Sequence, residues 1–377
     1  MLDQDLVETT EGTTKLLVPR ESLIAKAPPK EPAFFNPRAK INRDFSIIAY
    51  SAFLPGFKGP RLFLDSLAGI GSRSIRVANE LKDVEKVFVN DANPEAIKIA
   101  EKIARLNNVS NCAFSENEAC RFLSMHSRRE ERGAIVDVDP FGSPSRYIDC
   151  AIRATFHGGM LSTTATDLTV LHGLFPAACR RKYYGTPVRA EFGDEIALRL
   201  ILGCINMVAG RLDVKIVPLF SQNNMHYYRT YVKILLRTGD EDDIGYILFC
   251  KNCGHRKAVQ EAAYECDICK TRAELAGPLW IGKIFDRDFV STMISKEEQF
   301  QVDKSCKKTL ERCKEEADMP PTYFTIDELA HRKRTAPSSL SKSISSIKSA
   351  GFRITPTSLN PAAFRTDARI DDILELI

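Results

Sequence analysis

Short apolar runs alternate with amphipathic stretches between about residues 61 and 165, and this alternation constrains the fold more than any other feature of the chain. The apolar runs are Arg61–Asp65, Lys86–Asn90, Ala134–Asp139 and Met160–Thr164, and they predict buried strands. The amphipathic stretches between them predict helices. Because strands that alternate with helices form a parallel sheet covered on both faces, we expect an α/β fold.

A hairpin is predicted farther along, where the β-rich runs Val214–Ser221 and Tyr227–Leu236 flank Asn223-Asn224. An antiparallel hairpin that ends an otherwise parallel sheet is the usual finish of the class I, Rossmann-like methyltransferase fold. We therefore expect that fold for the first part of the chain. Since one fold serves many activities, the function has to come from the residues at the strand ends.

The turn after the first predicted strand carries the candidate cofactor site. It contains Gly69 and Gly71, and small residues here let the backbone turn tightly and approach a ligand. Asp91, just past the second strand, can accept hydrogen bonds from both ribose hydroxyls of an adenosine-type cofactor. A glycine-containing turn with an acidic strand end occurs in dehydrogenases as well as in methyltransferases.

Other residues near this turn distinguish the two classes. Ser74 stands where a dinucleotide-binding G-x-G-x-x-G motif has its third glycine. Arg73 can bind the methionine carboxylate of S-adenosyl-L-methionine. Glu118 and Ala119, which follow a third strand, occupy the position at which a methyltransferase holds adenine. The pattern thus favours S-adenosyl-L-methionine over NAD.

The candidate catalytic motif is Asp137-Val138-Asp139-Pro140-Phe141-Gly142, at the end of the fourth strand. An amine on an aromatic base has its lone pair delocalised into the ring, so its methylation needs an acceptor for the amino hydrogens, and Asp139 can be that acceptor. Phe141 can stack on the base, and the rigid turn at Pro140 can fix the geometry. The motif is similar to the (D/N)-P-P-(Y/F) motif of amino-methyltransferases, with Phe141 at the second proline.

At this point the chain resembles one family, the tRNA (guanine-26-N2)-dimethyltransferases, along nearly its whole length. It departs from the family's usual loop at Ile70 and Ser72, and it lacks long insertions and a basic tail, as compact archaeal members do. The resemblance is carried by Phe34-Phe35-Asn36-Pro37-Arg38, Asn42-Arg43-Asp44, Gly71 with Arg73, Val89-Asn90-Asp91, Asp137–Pro144, Thr164-Ala165-Thr166-Asp167 and Cys179–Tyr184.

The resemblance implies a role for each matching position. It implies that Asp139 is the catalytic acceptor and that Phe35 or Phe34, together with Phe141, flanks the target guanine. It also implies transfer to N2 of guanine 26 in tRNA, giving N2,N2-dimethylguanosine, although the residues alone leave the number of methyl groups open. The implied cofactor contacts are Arg43 and Arg73 for the methionine part, Asp91 for the ribose, and Glu118 and Ala119 for the adenine.

Four cysteines form a C-x2-C-x12-C-x2-C pattern, namely Cys250, Cys253, Cys266 and Cys269. Each C-x2-C pair presents two thiolates to one tetrahedral ion, and Gly254 permits the tight turn after the first pair. The spacing predicts a structural zinc ribbon at about residues 248–272. The other seven cysteines are scattered, and we expect small buried apolar side chains there rather than disulfides.

A basic segment follows the ribbon. Between Leu329 and Thr366 there are seven Lys or Arg residues, Arg365 among them, and no Asp or Glu, which suits contacts to phosphate. Residues 322–377 also have the order of a winged-helix unit. We expect a catalytic domain at 1–240 and a tRNA-binding domain at 241–377, separated by an acidic break at 239–243. The candidate RNA contacts are Arg180, Arg181, Lys182, Arg332, Lys333 and Arg334.

The composition is that of an ordinary globular protein, with 27% charged residues and a formal net charge of +4. No apolar stretch approaches the roughly 20 residues that span a bilayer, and the acidic N-terminus is unlike a signal or transit peptide. We expect a cytoplasmic protein that binds tRNA, has no membrane contact and needs no obligate protein partner.

Three other functions fit parts of the sequence. One is an amino-methyltransferase that acts on DNA. A second is a non-enzymatic nucleic-acid-binding protein that consists of a zinc ribbon and a winged helix beside an inert α/β part. A dehydrogenase is third, and the serine at position 74 disfavours it.

Overall fold

The computed structural model describes residues 6–224, 226–237 and 243–377. The predicted acidic break, except for its last residue, and the first five residues lie outside this part of the chain. An antiparallel hairpin comes first, formed by β1 (Leu6–Glu11) and β2 (Thr14–Pro19).

A seven-stranded sheet forms the centre of the molecule. Its strand order is β5-β4-β3-β6-β7-β9-β8, parallel from β5 to β7 and antiparallel for the last two pairings. The predicted α/β class and the closing hairpin are thereby confirmed. The strands are β3 (Leu62–Asp65), β4 (Lys86–Asn90), β5 (Cys112–Ser115), β6 (Gly133–Val138), β7 (Thr155–Ala165), β8 (Lys215–Asn224) and β9 (Tyr227–Leu235).

Helices cover both faces of this sheet. The proline at the start of α4 suits a first helical turn, and Asn93 caps that helix by accepting from the amide of Glu95. The sequence patterns did not predict α9, a long apolar helix. The helices are α1 (Arg20–Ile24), α2 (Lys40–Phe53), α3 (Ser72–Glu80), α4 (Pro94–Leu106), α5 (Ala119–Met125), α6 (Ile148–Ala154), α7 (Leu168–Leu171), α8 (Pro176–Tyr183) and α9 (Gly193–Gly210).

The C-terminal part, described from residue 243 to 377, contains two three-stranded sheets and five helices. One sheet has the order β11-β10-β12 and the other β13-β15-β14. The strands are β10 (Ile244–Phe249), β11 (Arg256–Val259), β12 (Glu274–Trp280), β13 (Phe324–Thr325), β14 (Ile354–Pro356) and β15 (Ala363–Thr366). The helices are α10 (Arg287–Glu297), α11 (Ser305–Glu316), α12 (Ile326–Lys333), α13 (Leu340–Ser349) and α14 (Ile370–Leu376).

The charged stretch from about 286 to 316 has the composition of one long helix, but the chain breaks within it and forms α10 and α11 instead. Phe300 and Val302 in the break pack against the core. The amide of Asp303 donates to the buried Asp44 of α2 at 3.1 Å, and the Asp303 carboxylate accepts from the amide of Ser305. These contacts draw the chain inward and start a new helix.

One hydrophobic core runs from the N-terminal hairpin into the C-terminal part, and a second, smaller core lies between 324 and 377. Gly203 of α9 marks the close approach of the two parts, since a Cβ there would lie 3.0 Å from Cα of Leu279. The division at residue 240 stays a prediction. Among the described helices, none has the length and apolarity needed to cross a membrane.

Candidate functional site

A cavity of about 370 Å³ opens at the carboxyl ends of β3, β4 and β6. Ligands of open α/β sheets bind at this edge, because the strand ends and the loops that follow them meet there. Most of the predicted catalytic and cofactor-binding residues line it, although they come from distant parts of the sequence. Those that line it are Phe34, Phe35, Arg43, Gly69, Arg73, Asp91, Asp139, Pro140 and Phe141.

Arg73 links the catalytic motif to the interior of the sheet. Its Nη2 donates to Asp139 at 2.6 Å and to Asn42 at 2.8 Å, and its Nη1 donates to Asp137 at 2.7 Å. The guanidinium is 7% exposed, whereas the Asp139 side chain is 29% exposed and reaches the cavity. The carboxylate of Asp139 is therefore oriented by the buried guanidinium of Arg73 and remains accessible from the cavity.

Behind Arg73 lies a buried polar network that sequence analysis missed. Arg229 and Tyr50 both donate to Asp137, and Arg229 also donates to Thr164 at 2.6 Å. Burial opposes ionisation of Asp137, but Arg229 and Arg73 together hold the pKa of this carboxyl below its ordinary value. An arginine inside the apolar strand β9 was the available signal, because an arginine that becomes buried needs a carboxylate partner.

Asp65, at the end of β3, lies beside Asp137 and borders the cavity. It accepts a hydrogen bond from Ser74 at 2.6 Å. Burial and the neighbouring Asp137 carboxylate raise the pKa of Asp65 from its ordinary 3.8 to about 7. The site therefore contains one carboxyl that is protonated more readily than a normal aspartate.

Asp91 is oriented by the backbone. Its carboxylate accepts from the amide of Gly69 at 2.8 Å and from the amide of Asn93 at 2.9 Å. Gly69 has φ +54°, a left-handed conformation that favours glycine, and it connects the loop to the strand end. With one backbone bond to each oxygen, the carboxylate keeps lone pairs for a ribose.

Arg43, on α2, also lines the cavity. Its Nε and Nη2 donate to Glu11 of β1 at 2.7 and 2.6 Å, and its guanidinium carbon lies 5.1 Å from the centre of the Phe35 ring. Nη1 is thus the nitrogen by which Arg43 would reach a carboxylate in the cavity. Glu11 is a positioning partner that the sequence did not reveal.

Phe34 and Phe141 form the aromatic rim of the cavity. Their ring centres are 4.7 Å apart and their planes are nearly perpendicular, at 84°. Phe141 is 59% exposed, whereas Phe35 is 3% exposed and lies beneath Arg43. Of the two N-terminal phenylalanines, Phe34 is the one in contact with Phe141.

Three predicted residues lie outside the cavity lining. Gly71 is the left-handed residue before α3, where a Cβ would lie 2.9 Å from that of Ala100, so it serves helix packing. Glu118 caps α5 by accepting from the amide of Arg121, and Ala119 is the buried first residue of that helix.

The four predicted ligand cysteines come together in the ribbon. The Sγ atoms of Cys250, Cys253, Cys266 and Cys269 all lie within 4.8 Å of one another. A tetrahedral zinc ion with Zn–S bonds of about 2.3 Å would hold its sulfurs about 3.8 Å apart. The donor set and its spacing fit a structural zinc ion, and none of these cysteines lines the cavity.

The sequence model of one protein family, described as "TRM: N2,N2-dimethylguanosine tRNA methyltransferase", matches residues 12–377. The chain belongs to this family. The expected membership is confirmed, and the comparisons do not favour the DNA-modifying or the non-enzymatic alternative.

Similar members of the N2,N2-dimethylguanosine tRNA methyltransferase family are known from archaea. A tRNA (guanine(26)-N(2))-dimethyltransferase of Methanothermobacter thermautotrophicus is 32% identical over 99% of this chain and 98% of its own length. A second enzyme of the same name, from Methanosphaera stadtmanae, is 30% identical over 100% of this chain and 97% of its own length. The solved complex of Trm1 from Pyrococcus horikoshii with S-adenosyl-L-methionine has a TM-score of 0.85 at 28% identity, over 99% of this chain and 100% of that one. The family's fold extends along the whole chain.

The predicted RNA contacts of this family member differ in exposure. Arg180, Arg181 and Arg334 are exposed. Lys182 pairs with Asp167 at 3.0 Å, Arg332 donates to Glu328 and to the carbonyls of Lys251 and Asn252, and Lys333 donates to the carbonyl of Ile377.

Two expectations about other residues are wrong. Arg365 is 2% exposed and pairs with Glu195 and Glu316, so it does not contact phosphate. Cys120 and Cys150 form a disulfide, because α5 and α6 lie side by side with these Cα atoms 5.7 Å apart.

Proposed function

We propose that this chain transfers methyl groups from S-adenosyl-L-methionine to the exocyclic N2 of guanine 26 in tRNA, giving N2,N2-dimethylguanosine. The observation that carries the proposal is that the carboxylates of Asp139 and Asp91 border the same cavity. A candidate acceptor for an amine and a candidate ribose ligand thus share one crevice, as direct transfer between two bound molecules requires. The curated archaeal relatives are named for the same activity.

The cofactor supplies an electrophilic methyl group, which bonds to N2 as the carbon–sulfur bond breaks and its electron pair stays on sulfur. Asp139 accepts a hydrogen bond from the amino group, which concentrates the lone pair on nitrogen, and then takes the proton that N2 releases. Arg73 fixes the Asp139 carboxylate for this task. A second methyl transfer repeats these steps with a fresh cofactor.

The remaining cavity residues bind and orient. Asp91 accepts from the ribose hydroxyls, and Nη1 of Arg43 binds the methionine carboxylate. Glu118 and Ala119, which lie outside the cavity lining, are the proposed contacts to the adenine. Phe34 and Phe141, with the turn at Pro140, hold the guanine ring, which must leave its stack to enter the cavity.

The tRNA contacts proposed are Arg180, Arg181, Lys182, Arg332, Lys333 and Arg334, with the exposed members of this set, Arg180, Arg181 and Arg334, meeting phosphate most directly. We further propose that residues 1–240 form the catalytic unit and 241–377 the tRNA-binding unit. The separate small core between 324 and 377 supports a winged-helix-like tail. Because the substrate is tRNA, we place the protein in the cytoplasm.

The test is single-turnover methylation of an unmodified tRNA transcript with labelled cofactor, followed by identification of the nucleoside. We expect N2,N2-dimethylguanosine from the wild type and none from a transcript with adenine at position 26. Asp139→Asn should slow transfer about 100-fold or more while cofactor binding is retained. Asp149→Asn, which changes an exposed aspartate of α6, is the matched control. A different methylated nucleoside, or full activity of Asp139→Asn, would refute the proposal.

A further inference from the structure

A second cavity, of about 640 Å³, is lined by residues of α7, the β8–β9 hairpin and the segment 358–361. Tyr227 lines the first cavity and Tyr228 lines the second. The two cavities therefore border neighbouring residues at the start of β9. The volume falls within the range of roughly 300 to 1,000 Å³ that is usual for small-ligand sites.

We propose that this second cavity binds an unstacked nucleotide of the tRNA other than the target guanine. The inference rests on the proposed function, because it assumes that tRNA is the substrate. The proposed occupant is a single base, which binds in the second cavity and not in the methyl-transfer site.

The lining of the second cavity suits a base rather than a phosphate. None of the described residues that line it is a lysine or an arginine. They include His172, Tyr228 and Asn224. The ring centres of His172 and Tyr228 are 5.9 Å apart and the rings are inclined by only 27°; Tyr228 is buried, so His172 is the ring that is open to a ligand. Flat rings stack on any base, and amides can hydrogen-bond to its edge.

The aromatic wall is fixed before any ligand arrives. Tyr228 donates to Asp194 at 2.6 Å and also contacts Nε2 of His172, which lies 3.2 Å from the same carboxylate. The imidazole side chain nevertheless remains 42% exposed. A ring that is held at one edge and open on its surface can stack on a base with little loss of conformational entropy.

The opposite wall comes from the C-terminal part of the chain. Residues 358–361 line the cavity, and the side chain of Asn223 donates to the carbonyl of Leu359 at 2.9 Å. A ligand in this cavity would therefore touch both parts of the protein. A tRNA that spans the catalytic and the C-terminal parts has to pass this junction.

The second cavity is also connected to the catalytic loop and to a basic helix. Thr166 exchanges hydrogen bonds with Gly142 of the catalytic loop, and the next residue, Asp167, accepts from Lys182 and Tyr183 of α8. The second cavity begins one residue later, at Leu168. A base in this cavity would thus lie on the same structural unit that carries the target-binding loop and the cations of α8.

Apolar side chains at the mouth add to this surface. Leu174 borders the cavity and is 54% exposed, and the adjacent Phe175, which precedes α8, is 59% exposed. An exposed aromatic residue at the start of the helix that carries Arg180 and Arg181 is a combination suited to single-stranded nucleic acid. The positive charge of α8 and the exposed apolar side chains at the mouth therefore favour RNA over a small metabolite as the occupant.

The test fills the cavity without changing either the methyl-transfer site or the charge. Thr169 is exposed and lines the cavity, so Thr169→Trp obstructs it, and Thr292→Trp adds the same bulk at an exposed threonine of α10. We expect Thr169→Trp to weaken tRNA binding about tenfold, the scale of one stacked base, with cofactor affinity and melting temperature unchanged. Leu174→Ala, which removes an exposed contact, should weaken binding in the same direction.

The position of the bound base is found with 2-aminopurine, placed in turn at each nucleotide that flanks guanine 26. One position should show a fluorescence increase on binding to the wild type that Thr169→Trp abolishes and Thr292→Trp retains. Equal tRNA affinity for the two tryptophan variants, or no position with this behaviour, overturns the inference while the wild type still forms N2,N2-dimethylguanosine. A wild type that methylates no tRNA would instead refute the proposed function.

Discussion

The guanidinium of Arg73 lies between the carboxylates of Asp137 and Asp139, 2.7 Å from the first and 2.6 Å from the second. Asp137 is fully buried and belongs to the sheet interior, whereas Asp139 reaches the cavity. The position of the proposed catalytic carboxylate is therefore set by a cation that is anchored within the sheet. Arg229 supplies the second cation that Asp137 needs there.

Arg73→Lys should separate charge from geometry. An ammonium group keeps the charge, but it cannot span two carboxylates as the planar guanidinium does. We expect the single-turnover rate to fall on the order of 100-fold, because Asp139 loses its fixed orientation. Arg61→Lys, at a half-exposed arginine paired with Asp83, is the matched control and should keep the full rate. Equal rates for the two variants would contradict the role given to Arg73.

Asp65 should make stability depend on pH. Its folded pKa is raised to about 7, so between about pH 4 and pH 7 the folded state binds more protons at this site than the unfolded state. Its contribution to the free energy of unfolding therefore falls by about 1.4 kcal/mol per pH unit over this window. Asp65→Asn removes this dependence, so the variant should gain stability relative to the wild type as the pH rises from 5 to 7. Urea unfolding at several pH values measures the free energy of unfolding of both proteins. A difference between them that stays constant from pH 5 to pH 7 would contradict the prediction.

Zinc removal should affect the ribbon and leave the cavity intact. We expect about one zinc ion per chain by elemental analysis, and a lower melting temperature after chelation, because four-thiolate sites contribute folding free energy. Cys253→Ser should reproduce the loss, while Cys112→Ser, a half-buried cysteine of β5, should keep the metal. Affinity for S-adenosyl-L-methionine should be unchanged in all samples. Retention of zinc by Cys253→Ser would count against the four-cysteine site.

Arg365 should be important for stability. It pairs with Glu195 of α9 at 2.9 Å and with Glu316 of α11, and all three side chains are buried. Arg365→Ala leaves the buried Glu316 without its arginine partner, while Glu195 keeps its pair with Arg199, and the loss costs about 3–5 kcal/mol. Arg353→Ala breaks an exposed pair with Asp367 and should cost less than about 1 kcal/mol. Denaturant unfolding of both variants measures the loss in free energy of unfolding. Similar losses for the two variants would show that the buried cluster contributes no more stability than an exposed ion pair.

The local pattern was enough to predict the parallel strands, the closing hairpin and the four clustered cysteines. Each depends on spacing within a short stretch, which hydrophobic periodicity and ligand spacing report directly. The break between α10 and α11 was not predictable in this way, since it depends on the contact of Asp303 with Asp44, 259 residues away.

The sequence by itself determined which residues stand at the strand ends, because the chemistry of Asp91 and Asp139 can be read from their place after apolar runs. Only the tertiary structure decided what those residues contact. Arg73 turned out to be shared between Asp137 and Asp139, and Arg365 turned out to be buried against Glu195, 170 residues away. The position of a residue within a helix or strand repeat predicts which face of that element its side chain lies on. The partners of that side chain come from segments that meet only when the chain folds.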